Sequence, residues 1–429
     1  MKTKLLIFGI TGDLSTRKLL PAIKRIVATN AYDDLEIIGV SRREVNVDEL
    51  LTSSLGDTAL AGRLSVFSMD LAKASDYERL RESLALADDE QLLVYLSVPP
   101  RAAAQIVDFL GDAGITTPNV KLLFEKPFGV DLNSAQEVIE RTARHYNESQ
   151  LYRIDHYLAK EMAQNIAALR GGNALLSHVW SNESIESIEV LALEKITIEG
   201  RAQFYEQVGA LRDVVQGHLM QLLALILMDI PGEFAWEKLP QARLAALQQL
   251  QPANPETTVR AQYAGYQEEA QNIGSLTETF VSLKLQSTDP RWKDVPLVLT
   301  TGKAMDKKTT EIRINFRKFH EAQSNCLIFR IQPNEGVEID LNTKKPGYER
   351  EFETRKLAFT YPEDITLPDA YEHVIIDAIR DRKSLFTSSE EVLVSWRILQ
   401  PLLDAWAMDN APLKKYPVHT LVDTLLSQP

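Results

Sequence analysis

The stretch Leu5-Leu6-Ile7-Phe8-Gly9-Ile10-Thr11-Gly12-Asp13-Leu14 joins an apolar run to a Gly-x-x-Gly turn and then to an amphipathic segment, Leu14–Thr29. A short apolar run closed by glycine reads as a buried strand, and the period that follows it reads as a helix. Glycines at such a turn let the backbone bend tightly and come close to a pyrophosphate. The helix N-terminus beyond them offers free N–H groups and the positive end of its dipole. The complete dinucleotide pattern has three glycines and this stretch has two, so a plain strand-to-helix turn is the alternative reading at this point. A signal peptide is a poorer description, because the apolar run has no small-residue cleavage site.

The pattern then repeats outward. Strand-like runs at Glu36–Ser41, Leu64–Met69, Leu92–Leu96 and Val120–Phe124 alternate with helix-like stretches at Tyr77–Leu86, Arg101–Leu110 and Asn133–Tyr146. Alternating β and α elements predict a doubly wound, Rossmann-like parallel sheet with helices on both faces, whose ligands sit at the carboxyl ends of the strands. Leu151–Ile154 reads as a last strand, followed by a helix from about Asp155 to Arg170. Beyond it the texture changes. A long helix is expected over about Phe204–Met228. Then come Phe280–Leu285, Leu297–Thr301, Glu311–Phe316, Leu327–Ile331 and Val337–Leu341 without intervening helices, and helices near Ala370–Arg380 and Glu390–Met408 close the chain. Strands in succession predict an α+β domain with a large, mostly antiparallel sheet. A boundary near residue 155 therefore divides domains 1–155 and 156–429, and Gln251–Ser275 reads as a loop or short charged helix.

With 429 residues, 45% of them hydrophobic and 25% charged, the chain has ample material for two cores. The longest apolar candidate, Leu219–Met228, is too short for a membrane helix and is interrupted by Gln221. Cys326 is the single cysteine, which excludes an intrachain disulfide and a cysteine zinc site, and a cytoplasmic location is the expectation. A net charge of −13 argues against nucleic acid or a membrane surface as partner. Local clusters of Lys and Arg are correspondingly informative.

Several such clusters exist. Ser41-Arg42-Arg43 follows the second strand, where an acidic residue would hold the ribose 2′-hydroxyl of NAD and an arginine accommodates the 2′-phosphate of NADP. A solvated strand end is the alternative. Glu125-Lys126-Pro127-Phe128-Gly129 follows the fifth strand and puts a lysine at the ligand edge of the sheet. In Asp155-His156-Tyr157-Leu158-Ala159-Lys160, a helix would place His156 and Lys160 on one face. Imidazole, phenol and ammonium together suit a phosphate group. His218, in Arg212-Asp213-Val214-Val215-Gln216-Gly217-His218-Leu219, lies in an apolar helix, where a satisfied core histidine is the commoner case.

Taken in order, these stretches resemble the glucose-6-phosphate dehydrogenase family over nearly the whole chain. The carriers are Gly-Ile-Thr-Gly-Asp-Leu-Ser-Thr-Arg-Lys-Leu at Gly9–Leu19, Glu-Lys-Pro-Phe-Gly, Arg-Ile-Asp-His-Tyr-Leu-Ala-Lys-Glu, Glu-Gly-Arg at Glu199–Arg201 and Arg-Asp-Val-Val-Gln-Gly-His-Leu. Thr-Gly-Lys-Ala-Met at Thr301–Met305, Arg-Ile-Gln-Pro-Asn-Glu at Arg330–Glu335 and Pro-Asp-Ala-Tyr-Glu at Pro368–Glu372 continue the match. The resemblance implies an NADP-dependent enzyme that oxidises glucose 6-phosphate at C1, with no metal. It implies His218 as general base and Asp155 as the carboxylate that orients it. His156, Tyr157 and Lys160 are implied at the sugar phosphate. Lys126 is implied at substrate and cofactor, Glu194, Asp213, Lys303 and Gln332 at the sugar hydroxyls or the phosphate end of the substrate, and Lys308 as another basic substrate ligand. Gly9, Thr11, Gly12, Asp13, Leu14 and Arg42 are implied at NADP, Lys18 near the junction of the domains, and Arg43 is carried with Arg42. A homodimer or homotetramer through the second domain's sheet is also implied. Ala159, Lys195 and Gly217 depart from the family's usual glycine, proline and asparagine, but none removes a catalytic group. Two rivals stay open: a dehydrogenase of another hexose phosphate, and a non-catalytic regulatory paralogue.

Overall fold

The computed structural model describes residues 2–230, 234–320, 323–362 and 364–427. The strands in chain order are β1 (Lys2–Phe8), β2 (Leu35–Ser41), β3 (Leu64–Ser68), β4 (Glu90–Leu96), β5 (Val120–Phe124), β6 (Leu151–Ile154), β7 (Ile185–Leu193) and β8 (Val259–Tyr263). They continue with β9 (Phe280–Leu285), β10 (Leu297–Gly302), β11 (Thr309–Phe316), β12 (Cys326–Gln332), β13 (Gly336–Lys344), β14 (Phe352–Thr360), β15 (Phe386–Thr387) and β16 (Lys414–Tyr416).

Two compact units result. The first comprises the described residues up to Gly129, then Asn133–Ala159 and Pro368–Val392. The second comprises Val130–Leu132, Lys160–Leu367 and the described residues from Leu393 onward. These units are not two consecutive stretches, as a single division after residue 155 expects. Pro368–Val392 returns to the first unit, where β15 adds antiparallel to β6, with Phe386 opposite Ile154.

The first unit's sheet runs β15-β6-β5-β4-β1-β2-β3, and every pairing except β15–β6 is parallel. Period-2 alternation explains why it is covered on both faces. Leu5 and Ile7 of β1 enter one core with Leu20, Ile23, Leu51 and Val374. Leu6 and Phe8 enter the other with Tyr77, Leu80, Ile106 and Leu110. Each such fully buried side chain contributes about 1.5–3 kcal/mol relative to exposure. Helix Ala370–Ile379, which brings Val374, starts at a reciprocal cap. Asp369 accepts the Tyr371 N–H at 3.0 Å, and Glu372 accepts the Asp369 N–H at 2.9 Å.

The second unit's sheet runs β14-β13-β12-β11-β7-β10-β9-β8-β16. It is antiparallel except where β7 pairs with β10 and β8 with β16. The segment 251–275 is more than a loop, because it contains β8. The helical run Ala202–Leu227 is long and apolar enough to cross a membrane by composition alone, yet Met220–Leu227 are buried inside this unit.

Candidate functional site

In the first unit the strand order reverses between β1 and β4: β2 and β3 lie on one side of β1, β5 and β6 on the far side of β4. A reversal of this kind opens a crevice at the carboxyl ends of the strands. Gly9 sits at its mouth with φ +80°, and a Cβ there would lie 2.3 Å from the Ser97 carbonyl oxygen. Gly12 donates its N–H to the Gly9 carbonyl at 2.9 Å. The Ser15 hydroxyl bonds both Gly9 O at 2.9 Å and Ser97 Oγ at 3.1 Å, which ties the turn to the end of β4. Thr11 and Asp13 are exposed, Leu14 is half-buried, and Asp13 pairs with Arg17 at 2.8 Å. Arg42 and Arg43 emerge exposed directly after β2, with the Arg43 N–H on Ser41 Oγ. Lys18 lies 3.9 Å from Asp369.

Because β1, β2, β5 and β6 are parallel, Gly9, Arg42, Lys126 and Asp155 all leave the same edge of the sheet. Tyr95 of β4 donates its hydroxyl to Glu125. Burial pushes the Glu125 carboxyl up to about 7, with the Asp155 charge adding to the effect and Tyr95 and Lys126 opposing it. Asp155 is buried and accepts the Tyr157 N–H at 2.9 Å. That local bond makes a turn of residues 155–160, and helix Glu161–Gly172 starts only after it. His156 and Lys160 therefore do not share a helical face, which corrects the sequence expectation. His156 and Tyr157 are half-buried neighbours, their rings 4.9 Å apart.

The second unit gathers another group. Lys160 stands before helix Glu161–Gly172, and the Met162 N–H there donates to Glu335 at 2.7 Å. Glu194 and Lys303 follow the parallel strands β7 and β10, whose last residues Leu193 and Gly302 are in register, so the two side chains meet in an ion pair. The Lys303 ammonium also lies 5.2 Å from the Tyr205 ring centroid. Burial holds the Tyr205 phenol neutral, and the nearby Asp213, Glu278 and Glu194 carboxylates act the same way. Lys308 is exposed just before β11, and Gln332 ends β12 with its amide on Thr310 at 3.1 Å, so both belong to one end of the β11–β12 pair.

His218 and Asp213 lie on the expected long helix, but that helix is not continuous. Gly209 breaks it with φ 64° and ψ 179°. It restarts with the Ala210 N–H on the Glu278 carbonyl at 3.0 Å and the Leu211 N–H on the Glu278 side chain at 2.9 Å. Leu211–Leu219 is π-helical, so the Met220 N–H reaches back to Val215 as well as Gly217. At the far end, side chains take the last carbonyls. Arg170 binds Leu225 and Met228, each at 2.6 Å, Trp180 binds Ile226 at 2.8 Å and Trp292 binds Leu227 at 3.1 Å. Burial lowers the Arg170 guanidinium to about 9, and the nearby Arg291 adds to this. Ser97, Glu125, Tyr205, Glu278 and Arg170 all escaped the sequence reading. Only Glu125, inside Glu-Lys-Pro, sits in a stretch that the reading singled out. Among the described residues, no group of three or more His, Cys, Asp or Glu is placed to hold a metal ion.

Residues 6–165 match the family description "Glucose-6-phosphate dehydrogenase, NAD binding domain", and residues 167–423 match "Glucose-6-phosphate dehydrogenase, C-terminal domain". The chain is 35% identical to a glucose-6-phosphate 1-dehydrogenase of Gluconobacter oxydans, over 96% of this chain and 92% of that one. A solved structure described as glucose-6-phosphate dehydrogenase in complex with its substrate glucose 6-phosphate superposes with a TM-score of 0.93 at 30% identity, over 99% of this chain and 96% of the other. The Mycobacterium avium glucose-6-phosphate 1-dehydrogenase gives a TM-score of 0.86 at 31% identity, over 98% and 94%. This chain belongs to the glucose-6-phosphate dehydrogenase family.

Proposed function

We propose that the chain oxidises glucose 6-phosphate at C1 to 6-phosphogluconolactone with NADP as acceptor, the entry step of the oxidative pentose phosphate pathway. The observation that carries the reading is the turn at the β1–β4 reversal, where Gly9 has no room for a Cβ, in a chain whose length is spanned by both family domains. Such a bare turn fits a dinucleotide pyrophosphate, with Gly9, Thr11, Gly12, Asp13 and Leu14 around it, Lys18 nearby and Arg42 and Arg43 toward the 2′-phosphate. NADP, when bound there, supplies the acceptor for the hydrogen and electron pair leaving C1.

The chain's own groups do the rest. His218 takes the proton of the C1 hydroxyl, a role that a neutral imidazole nitrogen can fill. Asp155 supplies the carboxylate that compensates the imidazolium. His156, Tyr157 and Lys160 bind the phosphate, Lys126 serves substrate and cofactor, Glu194, Asp213, Lys303 and Gln332 bind the sugar hydroxyls or the phosphate end, and Lys308 is a further basic substrate ligand. The same reading makes the enzyme a cytoplasmic homodimer or homotetramer with neither a nucleic-acid nor a membrane partner. The open edge supports the association: β14 exposes Phe352, Leu357 and Phe359 by 65%, 59% and 49%. The test is the appearance of reduced nicotinamide absorbance with NADP and glucose 6-phosphate, compared with glucose and with other hexose phosphates. His218→Asn should lower kcat by about 10²–10⁴-fold. Turnover near that of the parent in this variant would remove the general base from His218.

A further inference from the structure

Glu278 is a buried carboxylate that none of the roles above uses. It gives the first two N–H groups of the restarted helix their acceptors, one through its backbone and one through its side chain. The helix has no cap of its own, because Gly209 precedes it with a backbone conformation open essentially to glycine alone. A Cβ on Gly209 would meet the Glu278 carboxyl atoms at 2.5–2.7 Å. The cap thus comes from a segment distant in sequence, and that segment is itself anchored. Thr279 donates its N–H to Ala261 and accepts the Tyr263 N–H on its hydroxyl, both at 2.9 Å. Its carbonyl accepts the Lys303 N–H, also at 2.9 Å. Residues 278 and 279 therefore tie the start of the Asp213/His218 helix to the turn that carries Lys303.

We infer that Glu278 is a positioning residue: it fixes where the helix bearing Asp213 and His218 begins, and so where both side chains stand relative to Lys303. The inference rests on the reading of His218 as proton acceptor. Burying a carboxyl is costly unless it is bonded. Here it finds N–H donors and the positive end of a helix dipole. Burial pushes its carboxyl above the ordinary carboxylate value, opposed first by backbone N–H groups including that of Leu211 and then by the Arg212 and Arg260 charges. A cavity of about 490 Å³ opens beside Gly209 and Glu278, lined also by Arg212, Arg260 and Trp406. Water can enter such polar space, so loss of the side chain leaves the Leu211 N–H solvated rather than stranded, and the truncated variant is expected to fold.

The experiment compares full-length Glu278→Ala, Glu278→Gln and His218→Asn with the parent. It measures folded fraction by circular dichroism, kcat and both KM values, and the deuterium isotope effect with C1-deuterated glucose 6-phosphate. Glu278→Ala should lower kcat by about 10–100-fold, the scale of a misplaced catalytic group. It should also raise KM for glucose 6-phosphate, leave KM for NADP unchanged and enlarge the isotope effect. Glu278→Gln keeps an oxygen acceptor for the Leu211 N–H and should return kcat to within about threefold of the parent. The inference is overturned if folded Glu278→Ala keeps its kinetics and isotope effect. It is equally overturned if activity falls only with folded fraction, or if Gln is as poor as Ala. Should Ala not fold, Glu278→Asp, which withdraws the acceptor by one methylene, replaces it in the same comparison. An active His218→Asn variant defeats the general-base reading whatever Glu278 does. An inactive one beside an unaffected Glu278→Ala defeats the positioning role alone.

Discussion

Gly9→Ala tests the cofactor turn most directly. The added methyl would lie 2.3 Å from Ser97 O and 3.2 Å from Ser97 C and Val98 Cγ1, in a backbone conformation with φ +80°. The conformational part costs about 1–2 kcal/mol for a non-glycine residue. The contact is the larger problem, because its closest atom is backbone. Relief to an ordinary van der Waals distance of about 3.5 Å needs a movement of about 1 Å. That movement must separate the end of β1 from the end of β4, the two strands that bound the crevice. It also pulls on Ser15, which bonds both Gly9 and Ser97. Misplacement on this scale is expected to cost about 10²-fold in NADP-dependent kcat/KM. Gly12→Ala is the graded control. Its Cβ would sit 3.1 Å from the Gly9 carbonyl, with no positive φ, so a shift of a few tenths of an ångström suffices and a smaller loss is expected. The assay is NADP-dependent kcat/KM together with NADP affinity by fluorescence titration, with thermal unfolding to report folding. If Gly9→Ala binds NADP as the parent does, or if Gly12→Ala is the more damaging, the cradle is not where the pyrophosphate sits.

Other outcomes follow from the same geometry. Lys160→Ala should weaken glucose 6-phosphate much more than glucose, by about 1.5–3 kcal/mol for a charge-assisted contact. Undiminished preference for the phosphorylated sugar would move the phosphate site elsewhere. Arg42→Ala with Arg43→Ala should lower kcat/KM for NADP far more than for NAD, Arg42 carrying most of the effect, since only the 2′-phosphate loses a charged partner. An unchanged NADP/NAD ratio would show that neither arginine reads it. Glu125 gives a pH prediction. Its folded value of about 7 lies above the ordinary 4.5, so in that window the folded chain holds a proton that the unfolded chain has lost. Stability from this group is present at lower pH and falls as pH rises through the window, by no more than about 3 kcal/mol. Glu125→Gln should remove that decline, and urea unfolding of the two proteins at both ends of the window decides it.

The doubly wound sheet was legible because β1, β2, β4 and β5 are largely apolar on both faces and the strands alternate with amphipathic helices, so local pattern and global fold agree. The return of Pro368–Val392 to that sheet was not, since its helix and its two-residue strand carry no sign of which core they join. β7 went unseen although it is central. Glu186 and Glu189 break its apolar run, and the partners that make it a strand, β10 and β11, lie far along the chain. β14 is hidden for another reason. Its residues are almost all exposed, so no buried face imprints an alternation, and its pairing comes from the hairpin register with β13. For the candidate site, the sequence offered its candidates through tight motifs of unusual residue types, such as Glu125-Lys126-Pro127 and Asp155-His156-Tyr157. The supports were not: Glu278 and Arg170 act through backbone groups, and no residue pattern announces which carbonyl or N–H a distant side chain will meet.

The helix that carries His218 shows why those supports exist. A chain that needed only a buried helix would use an uninterrupted run of good helix formers. This one contains Gly209 in a non-helical conformation and then a π-helical stretch, Leu211–Leu219, with Gly217 inside it. Gly217, inside the helix, costs about 1 kcal/mol relative to alanine, and π turns occur mostly where a helix has a functional task. The wide turns change the angular spacing of residues 211–219, so Asp213 and His218 project in directions that a plain α-helix would not give. Left alone, such a run would fray toward a regular helix. It is held because Glu278 fixes its first donors and Arg170, Trp180 and Trp292 fix its last acceptors. With neutral hydrogen bonds at about 1 kcal/mol and charged ones at about 1.5–3 kcal/mol, these contacts exceed the intrinsic penalty of Gly217. The irregularity is therefore affordable only with both ends pinned, and a substitution at either end should disturb His218 without touching it.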